Sequence, residues 1–308
     1  NFFKDNEYAS EKINGYTLPG FRLSPKLSYA INENVLFEVG VHMLHYWGAN
    51  KYPCYSYLDI ANWEGAQYQE GFHLLPLLRA QISLMDNLQL VFGNLYVSNN
   101  HNLILPLYNT ELNLSSDPES GMQILYDSKY FKSDLWINWQ SFIFKNDNHQ
   151  EVFAFGSSSK TNILNPDNKF QLCIPLQFIV QHRGGELSSK YNYMRTMFNF
   201  AGGIGINYRL EKFINHISLE SYYTGFKSIS INYPTPFSNG YGIYNKLSLG
   251  VKDFNFNLSY WVCKDFLSIF GSPHFINIST STENMVFNKI RMIHAQLEYC
   301  YKKQKDYS

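Results

Sequence analysis

The chain has 308 residues, and its 25 Lys and Arg balance its 25 Asp and Glu, so the formal net charge at pH 7 is +0. This balance argues against a nucleic-acid-binding protein, which needs a basic surface. Charged residues make up only 16% of the chain and aromatic residues 17%, whereas about a quarter of the residues in a soluble domain are charged. No stretch of the sequence approaches the roughly 20 apolar residues of a membrane-spanning helix. This composition is typical of an outer-membrane β-barrel.

The first clear element is a hairpin with arms at 20–32 and 35–48. In the first arm, apolar residues such as Leu23 and Leu27 alternate with polar residues such as Lys26. Because successive side chains of a strand point to opposite faces, each arm has one apolar and one polar wall. Arms longer than ten residues suit tilted strands that cross a bilayer.

The same alternation predicts thirteen strands along the chain. They lie at 20–32, 35–48, 73–85, 88–97, 120–127, 131–145, 150–164, 169–183, 194–209, 213–226, 240–252, 254–267 and 287–302. One more strand, for which 1–8 is the candidate, closes the sheet at about fourteen strands, and a missing terminal hairpin would make sixteen. The links between strands are alternately short and long. We therefore expect one β-barrel domain over 1–308, with short periplasmic turns, long outer loops and both termini in the periplasm.

The polar wall of the strands predicts which residues line the lumen. They are Arg22, Lys26, Glu38, His42, Arg79, Asp134, Asn138, Gln177, Arg183, Arg195, Arg209, Glu220, Lys246 and Glu298. Both charge signs occur, with more cations than anions, so an open pore would lean weakly towards anions. The opposite phase, which includes Leu78, Leu219, Ile293 and Leu297, is expected to face lipid. In strand 150–164, polar and apolar residues do not alternate cleanly, so neither face is assigned.

Two long loops are candidates for a cap or a recognition surface. The loop at 49–72 carries Tyr52, Tyr55, Tyr57, Trp63 and Tyr68. Such rings bind sugars or a protein partner, or pack on one another over the barrel mouth. The segment 264–286 is also long enough to fold inward as a lid.

Short motifs give weak indications of chemistry. Ser98 near His101 suggests the nucleophile and base of a lipase, but a His in a loop is more often structural. A metal ion could bind at two groups of loop residues, which are Asp147, His149 and Glu151, and Glu111, Asp117 and Glu119. Solvated turn residues explain both groups more simply. We therefore predict no catalytic residue, no metal, no cofactor and no enzyme activity.

Several longer motifs resemble a known family. They include DNEY at 5–8, GYTLPG at 15–20, GNLY at 93–96, PLY at 106–108 followed by Glu111, DLWINW at 134–139 and HRGG at 182–185. As a set they resemble the porin-like outer-membrane β-barrels of Bacteroidota. The resemblance implies a barrel embedded in outer-membrane lipid and lipopolysaccharide, and it implies no settled substrate.

Two functions follow from this interpretation. The first is a porin-like, weakly selective channel for small solutes, which the aromatic outer loops gate or cap. The alternative is a non-conducting accessory subunit of a larger outer-membrane complex for assembly, secretion or nutrient uptake. The expected partners are outer-membrane lipid, lipopolysaccharide and other outer-membrane proteins, and not nucleic acid.

Overall fold

The computed structural model describes residues 1–8, 10–47, 72–97, 101–142, 150–184, 194–210, 213–231, 235–282 and 284–300. These residues form fifteen β-strands and a short α-helix, α1, at Leu112–Ser115. The strands are β1 Phe2–Asn6, β2 Tyr16–Leu23, β3 Lys26–Asn32, β4 Val35–Tyr46, β5 Phe72–Met85, β6 Leu88–Asn94, β7 Ser120–Asp127, β8 Phe131–Ser141, β9 Glu151–Asn162, β10 Phe170–Gly184, β11 Met194–Arg209, β12 Ile214–Ile231, β13 Asn239–Val251, β14 Phe254–Lys264 and β15 Lys289–Tyr299.

All strands belong to one antiparallel sheet in which sequence neighbours are paired. Strands β2 and β3 both pair with β4, so the order β1-β2-β4 to β15 has fourteen positions. The predicted antiparallel architecture is confirmed. The predicted single arm at 20–32 is wrong in detail, because its pairing begins at Tyr16 and is interrupted at Pro25. Proline has no backbone N–H to donate to a ladder, and this explains the break.

The links between strands alternate in length, as predicted. Two-residue turns at 33–34, 86–87 and 252–253 alternate with long links such as 95–119 and 265–288. We call the two ends of the sheet the turn end and the loop end. Among the described residues, no helix is long and apolar enough to cross a membrane.

The outer face of the sheet is apolar and exposed. Leu27 is 76% and Ile293 73% exposed, and Leu78, Leu219 and Leu297 are also exposed. These residues all belong to the phase expected to face lipid. Soluble proteins rarely expose apolar surface on this scale, so this face is explained by contact with the hydrocarbon of a membrane.

The hydrophobic core lies on the inner face, where two loops of the loop end fold against the strands. The first, 101–119, contributes Leu103, Leu107 and Leu112, and the second, 265–287, contributes Phe266 and Ile276. Strand residues of the inner face complete the cluster, among them Trp136, Met197, Tyr222, Tyr244 and Trp261. The inward fold expected for 264–286 is therefore observed, while 49–71 lies outside the described residues.

Side-chain amides fasten both inward loops. Gln177 on β10 accepts a hydrogen bond from the Ile104 N–H at 3.0 Å and donates to the Asn102 carbonyl at 2.9 Å. Asn199 on β11 donates to the Leu267 carbonyl at 2.7 Å and accepts from the Ile269 N–H at 2.8 Å. These loops have no neighbouring strand to pair with. Each side-chain amide therefore supplies the acceptor and the donor that the backbone of a neighbouring strand would otherwise provide.

The lipid-facing assignment of the outer wall can be tested on β12. We expect Leu219→Arg to destabilise the protein by about 2–4 kcal/mol if the residue lies near the bilayer midplane, because lipid cannot hydrate the charge. The matched control is Ser218→Arg, one residue away on the inner wall, which we expect to cost much less. Reversible folding into lipid vesicles under urea gives both values. Equal costs at the two positions would contradict the assignment.

Candidate functional site

A cavity of about 300 Å³ lies where the first and last strands of the sheet come together, and we call it the seam pocket. Both ends of the chain line it, together with parts of both inward loops. Its polar lining consists mainly of Lys4, Asn6, Tyr16, Glu111, His274 and His294. The pocket therefore combines residues that are up to 290 positions apart in the sequence.

A buried carboxylate forms one wall of the seam pocket. Glu111 is 3% exposed, and its carboxylate accepts a hydrogen bond of 2.6 Å from the Tyr16 hydroxyl. The Lys4 ammonium forms an ion pair with the same carboxylate, and the Asn6 amide lies 3.5 Å from it. Lys4 and Asn6 share one face of β1, and Asn6 pairs in register with Tyr16 of β2. The strand pairing thus brings three donors to one carboxylate.

Two imidazoles lie in the same pocket. His274 belongs to a 3₁₀ turn at Pro273–Phe275, and the ring of Tyr8 packs edge-on against it at 4.7 Å. Burial, together with the positive charge of Lys12, lowers the pKa of His274 to about 4, so this ring is neutral at pH 7. His294 lies on β15, and its Nδ1 is buried and has no hydrogen-bond partner among the described residues.

Burial also shifts the pKa values of two groups beside the seam pocket, Tyr8 and Lys12. Burial, and then the charge of Glu111, raises the pKa of Tyr8 to about 12. Burial lowers the pKa of Lys12 to about 8, and its ammonium donates to the His274 carbonyl at 2.8 Å. The pocket therefore presents the neutral His274 ring and the protonated Tyr8 hydroxyl close to a carboxylate that is paired with Lys4.

A second cavity, of about 600 Å³, lies beside β2 to β5 under helix α1, and we call it the inner pocket. Four residues predicted to line the lumen meet there, which are Arg22, Lys26, His42 and Arg79. Two of the three cations contact the same carboxylate, and the third donates to a backbone carbonyl. Arg79 forms a 2.6 Å ion pair with Glu38, Lys26 lies 3.7 Å from the same carboxylate, and Arg22 donates to the Asn113 carbonyl.

The inner pocket also contains a serine next to a histidine. The Ser24 hydroxyl lies 3.0 Å from Nδ1 of His42. A serine nucleophile needs a base that is itself oriented by a third group. Nε2 of His42 is buried and has no hydrogen-bond partner among the described residues, so this third group is missing. The pair therefore forms no complete Ser-His-acid triad among the described residues.

The histidine of the lipase-like motif has a structural partner. Nδ1 of His101 lies 2.7 Å from Asp134, and its ring stacks on Trp136 at 3.8 Å. His101 is fully buried, and Gln123 donates to the other oxygen of Asp134 at 2.8 Å. Burial alone would lower the pKa of His101, but the hydrogen bond with Asp134 and the Glu119 carboxylate 3.5 Å from Nε2 raise it to about 9. His101 therefore holds its loop to the wall, while Ser98 lies outside the described residues.

The other residues predicted for the lumen are spread along the sheet. Those less than a tenth exposed are Asn138, Gln177, Arg183 and Arg195, in addition to His42, Arg79 and Asp134. Glu220 and Lys246 are half-buried, whereas Arg209 and Glu298 are exposed near the turn end. The aromatic residues Tyr52, Tyr55, Tyr57, Trp63 and Tyr68 lie outside the described residues, so the predicted recognition loop stays a prediction.

The two metal hypotheses have different outcomes in the structure. Glu111 is engaged with Tyr16 and Lys4, and Asp117 lies 2.8 Å from Nδ1 of His73. In the part of the chain that the structure describes, no group of three or more His, Cys, Asp or Glu side chains could hold a metal ion. Asp147 and His149 lie outside that part.

Sequence reasoning found only part of the seam pocket. Asn6, Tyr16 and Glu111 belong to the motifs that carried the family resemblance, but Lys4 and His274 were not singled out. No local pattern identifies these two residues, because their neighbours in space come from distant elements. Of the residues that line the pocket, the sequence drew attention only to those in the family motifs at 5–20 and 106–111.

The pairing of His101 with Asp134 predicts a pH-dependent stability. A raised pKa means that the stabilisation is fully present below the unfolded pKa of about 6.5, and that it is lost as the pH rises through about 9. Asp134→Asn leaves the buried imidazole without its carboxylate, and we expect a loss of about 3–5 kcal/mol at pH 6.5. Urea unfolding between pH 6 and 10 should show this loss shrinking as the pH rises.

The control for this pair is Asp167→Asn, which removes an exposed ion pair with Lys129. Exposed pairs contribute about 0–1 kcal/mol, so this variant should unfold like the unchanged protein. An Asp134→Asn variant with unaltered stability at pH 6.5 would contradict the structural role of His101.

Comparison with known proteins adds an independent finding. The family model described as lipid A 3'-O-deacylase-type matches residues 1–308. A search of curated proteins found no match. Among solved structures, the in-vitro folded OmpT of Vibrio cholerae, an outer membrane protein, in its trimer form, shares 9% identity and a TM-score of 0.38, with 93% of this chain and 91% of that chain covered. Another structure of OmpT shares 8% identity and a TM-score of 0.35, with coverage of 96% and 93%.

The prediction that the protein is not an enzyme is wrong. The matching family is a family of deacylases, and the match extends over 1–308. The short motifs of the sequence gave no sign of this activity, and the titratable groups of the seam pocket come from elements far apart in the chain, which are β1, β2, β15 and the two inward loops.

Proposed function

Because the chain belongs to the lipid A 3'-O-deacylase-type family, an outer-membrane β-barrel family, we propose that it hydrolyses an acyl ester of lipid A. The seam pocket is the proposed active site. The observation that carries this assignment is the meeting of two imidazoles with the Lys4, Tyr16 and Glu111 cluster in one cavity. Lipopolysaccharide, which the sequence analysis predicted as the environment of the barrel, is then also the source of the substrate, lipid A.

Ester hydrolysis needs a base for the attacking water and donors for the oxygen that becomes negative. His294 is the proposed base, because its buried Nδ1 has no partner among the described residues. It takes a proton from the attacking water and returns it to the sugar oxygen when the C–O bond of the ester breaks, so the products are a fatty acid and a free hydroxyl. The pKa of His274, about 4, is too low for an efficient base at neutral pH, since a catalytic pKa is best matched to the working pH. His274 is instead proposed to donate or accept a hydrogen bond as a neutral ring.

The donors for the developing oxyanion are proposed to come from β1. An ammonium group has three N–H donors, so Lys4 can keep its ion pair with Glu111 and still donate to the ester oxygen. Asn6 is at the limit of hydrogen bonding to Glu111, at 3.5 Å, and its amide is therefore easily redirected. Glu111 is proposed as a positioning residue, because it fixes Lys4 and the Tyr16 hydroxyl from the opposite side.

A channel role has less support from the described residues. The two inward loops pack a hydrophobic cluster against the inner face, and Lys26 and Arg79 of the inner pocket both contact the Glu38 carboxylate. Conduction, an accessory role in a larger complex and an origin in Bacteroidota all stay predictions.

The proposal predicts a specific loss of activity. We expect His294→Gln to lower kcat by roughly 10²–10⁴-fold, the usual contribution of a general base. Fatty-acid release from lipid A in detergent micelles, measured by mass spectrometry, gives the rate. The matched control is His216→Gln on β12, which also faces the inner side but lies near the turn end and outside both pockets.

A second variant separates the two pockets. Ser24→Ala removes the hydroxyl next to His42, and we expect the rate to stay unchanged. If Ser24→Ala abolishes fatty-acid release while His294→Gln retains it, the active site lies in the inner pocket. If the unchanged protein releases no fatty acid from lipid A, the proposed substrate is wrong.

A further inference from the structure

The first and last strands of the sheet form a seam that differs from every other pair of neighbours. Strand β1 has five residues and β15 has eleven, and no backbone pairing joins them among residues 2–6 and 289–299, all of which the structure describes. Every other adjacent pair in the strand order is hydrogen-bonded. The wall is therefore weakest at this seam.

The seam is held together at its loop end by the segment that follows β1. The Lys12 carbonyl accepts a hydrogen bond of 2.9 Å from the Thr280 N–H, and the Glu11 carbonyl accepts one of 2.5 Å from the Ser281 hydroxyl. Lys12 also donates to the His274 carbonyl. These contacts attach the segment after β1 to the second inward loop, beside the His274 wall of the seam pocket.

The outer surface beside the seam is apolar up to both edges. Phe3 on β1 is 71% exposed, and Ile293 and Leu297 on β15 are 73% and 68% exposed. On the inner side of the same two strands, Asn6 and Met292 line the seam pocket. Because successive side chains alternate between faces, the outer apolar surface and the pocket lie on opposite sides of β1 and β15, two strands that do not pair with each other.

The size of the seam pocket limits what enters it. Its volume of about 300 Å³ is at the lower bound for a small-molecule site. It is sufficient for an ester group and the start of one acyl chain, but not for a whole glycolipid. The remainder of the substrate must stay outside, and the apolar edges of the seam offer a continuous surface for the rest of the chain.

We infer that the acyl chain of a membrane-embedded glycolipid enters the seam pocket sideways from the bilayer, between β1 and β15. The sugar part then remains at the loop end, next to the Glu11 and Lys12 contacts. This inference rests on the proposed hydrolysis for its chemistry, but the entry route itself is a matter of geometry.

A reversible cross-link tests the route. In a chain whose four cysteines are replaced by Ser, Phe3→Cys and Ala295→Cys place thiols on the outer edges of the seam. Thiol-reactive linkers of increasing length, each with a central disulfide, then tie the edges together. The matched control is Met122→Cys with Ile137→Cys, which are register partners on the paired strands β7 and β8.

Two substrates separate the route from the chemistry. We expect the seam cross-link to lower hydrolysis of lipid A in vesicles at least about tenfold, to leave hydrolysis of a soluble short-chain ester unchanged, and to be reversed by a reductant. The β7–β8 cross-link should affect neither rate. Unaltered hydrolysis of vesicle lipid A by the seam-locked protein would overturn lateral entry and leave the proposed hydrolysis standing.

A second readout does not depend on activity. A photo-cross-linking benzoylphenylalanine at Met292 should form adducts with lipid A in vesicles, and the seam cross-link should suppress them. The same group at the outward-facing Leu247 should form adducts in both states, and at the inner-face Asn257 in neither. If Met292 forms no lipid adduct in the unlocked protein, lateral entry is wrong even if no variant hydrolyses either substrate.

Discussion

The inward loops depend on one constraint, which is that a backbone inside a sheet must find hydrogen-bond partners. The loops at 101–119 and 265–287 have no neighbouring strand, and an unpaired buried peptide group costs about 1–3 kcal/mol. Gln177 and Asn199 meet this requirement from the wall, and each satisfies both a loop N–H and a loop carbonyl. Glu111 and His274 then have fixed places, because they lie on the two loops that these amides hold.

Much of the sheet could be predicted from the sequence, because strand side chains alternate between faces and a membrane makes one face apolar, so most strands show a period of two. The spans, the alternation of short and long links and the lipid-facing phase all follow from this period. Gln177 illustrates what the period leaves open. It was predicted to lie on a polar wall, but the alternation of polar and apolar residues does not show whether such a wall faces water or, as here, a folded loop.

The seam pocket was largely invisible to sequence reasoning for a related reason. Its residues are contributed by β1, the two inward loops and β15, and contacts such as that of Lys12 with His274 join positions 262 residues apart. No spacing rule connects such residues. The charge count has the same limit, because it does not show that Arg79, one of the cations predicted to line the lumen, forms an ion pair with Glu38.

The wide separation of the residues in the seam pocket has a consequence for how the protein acquires its activity. Contacts of long sequence separation form late in folding, because they close the largest loops of chain. His294 meets Lys4 only after β15, the last strand, has arrived beside β1, the first. Under the proposed function, an incompletely assembled barrel has no competent site, and the arrival of β15 beside β1 is the activating step.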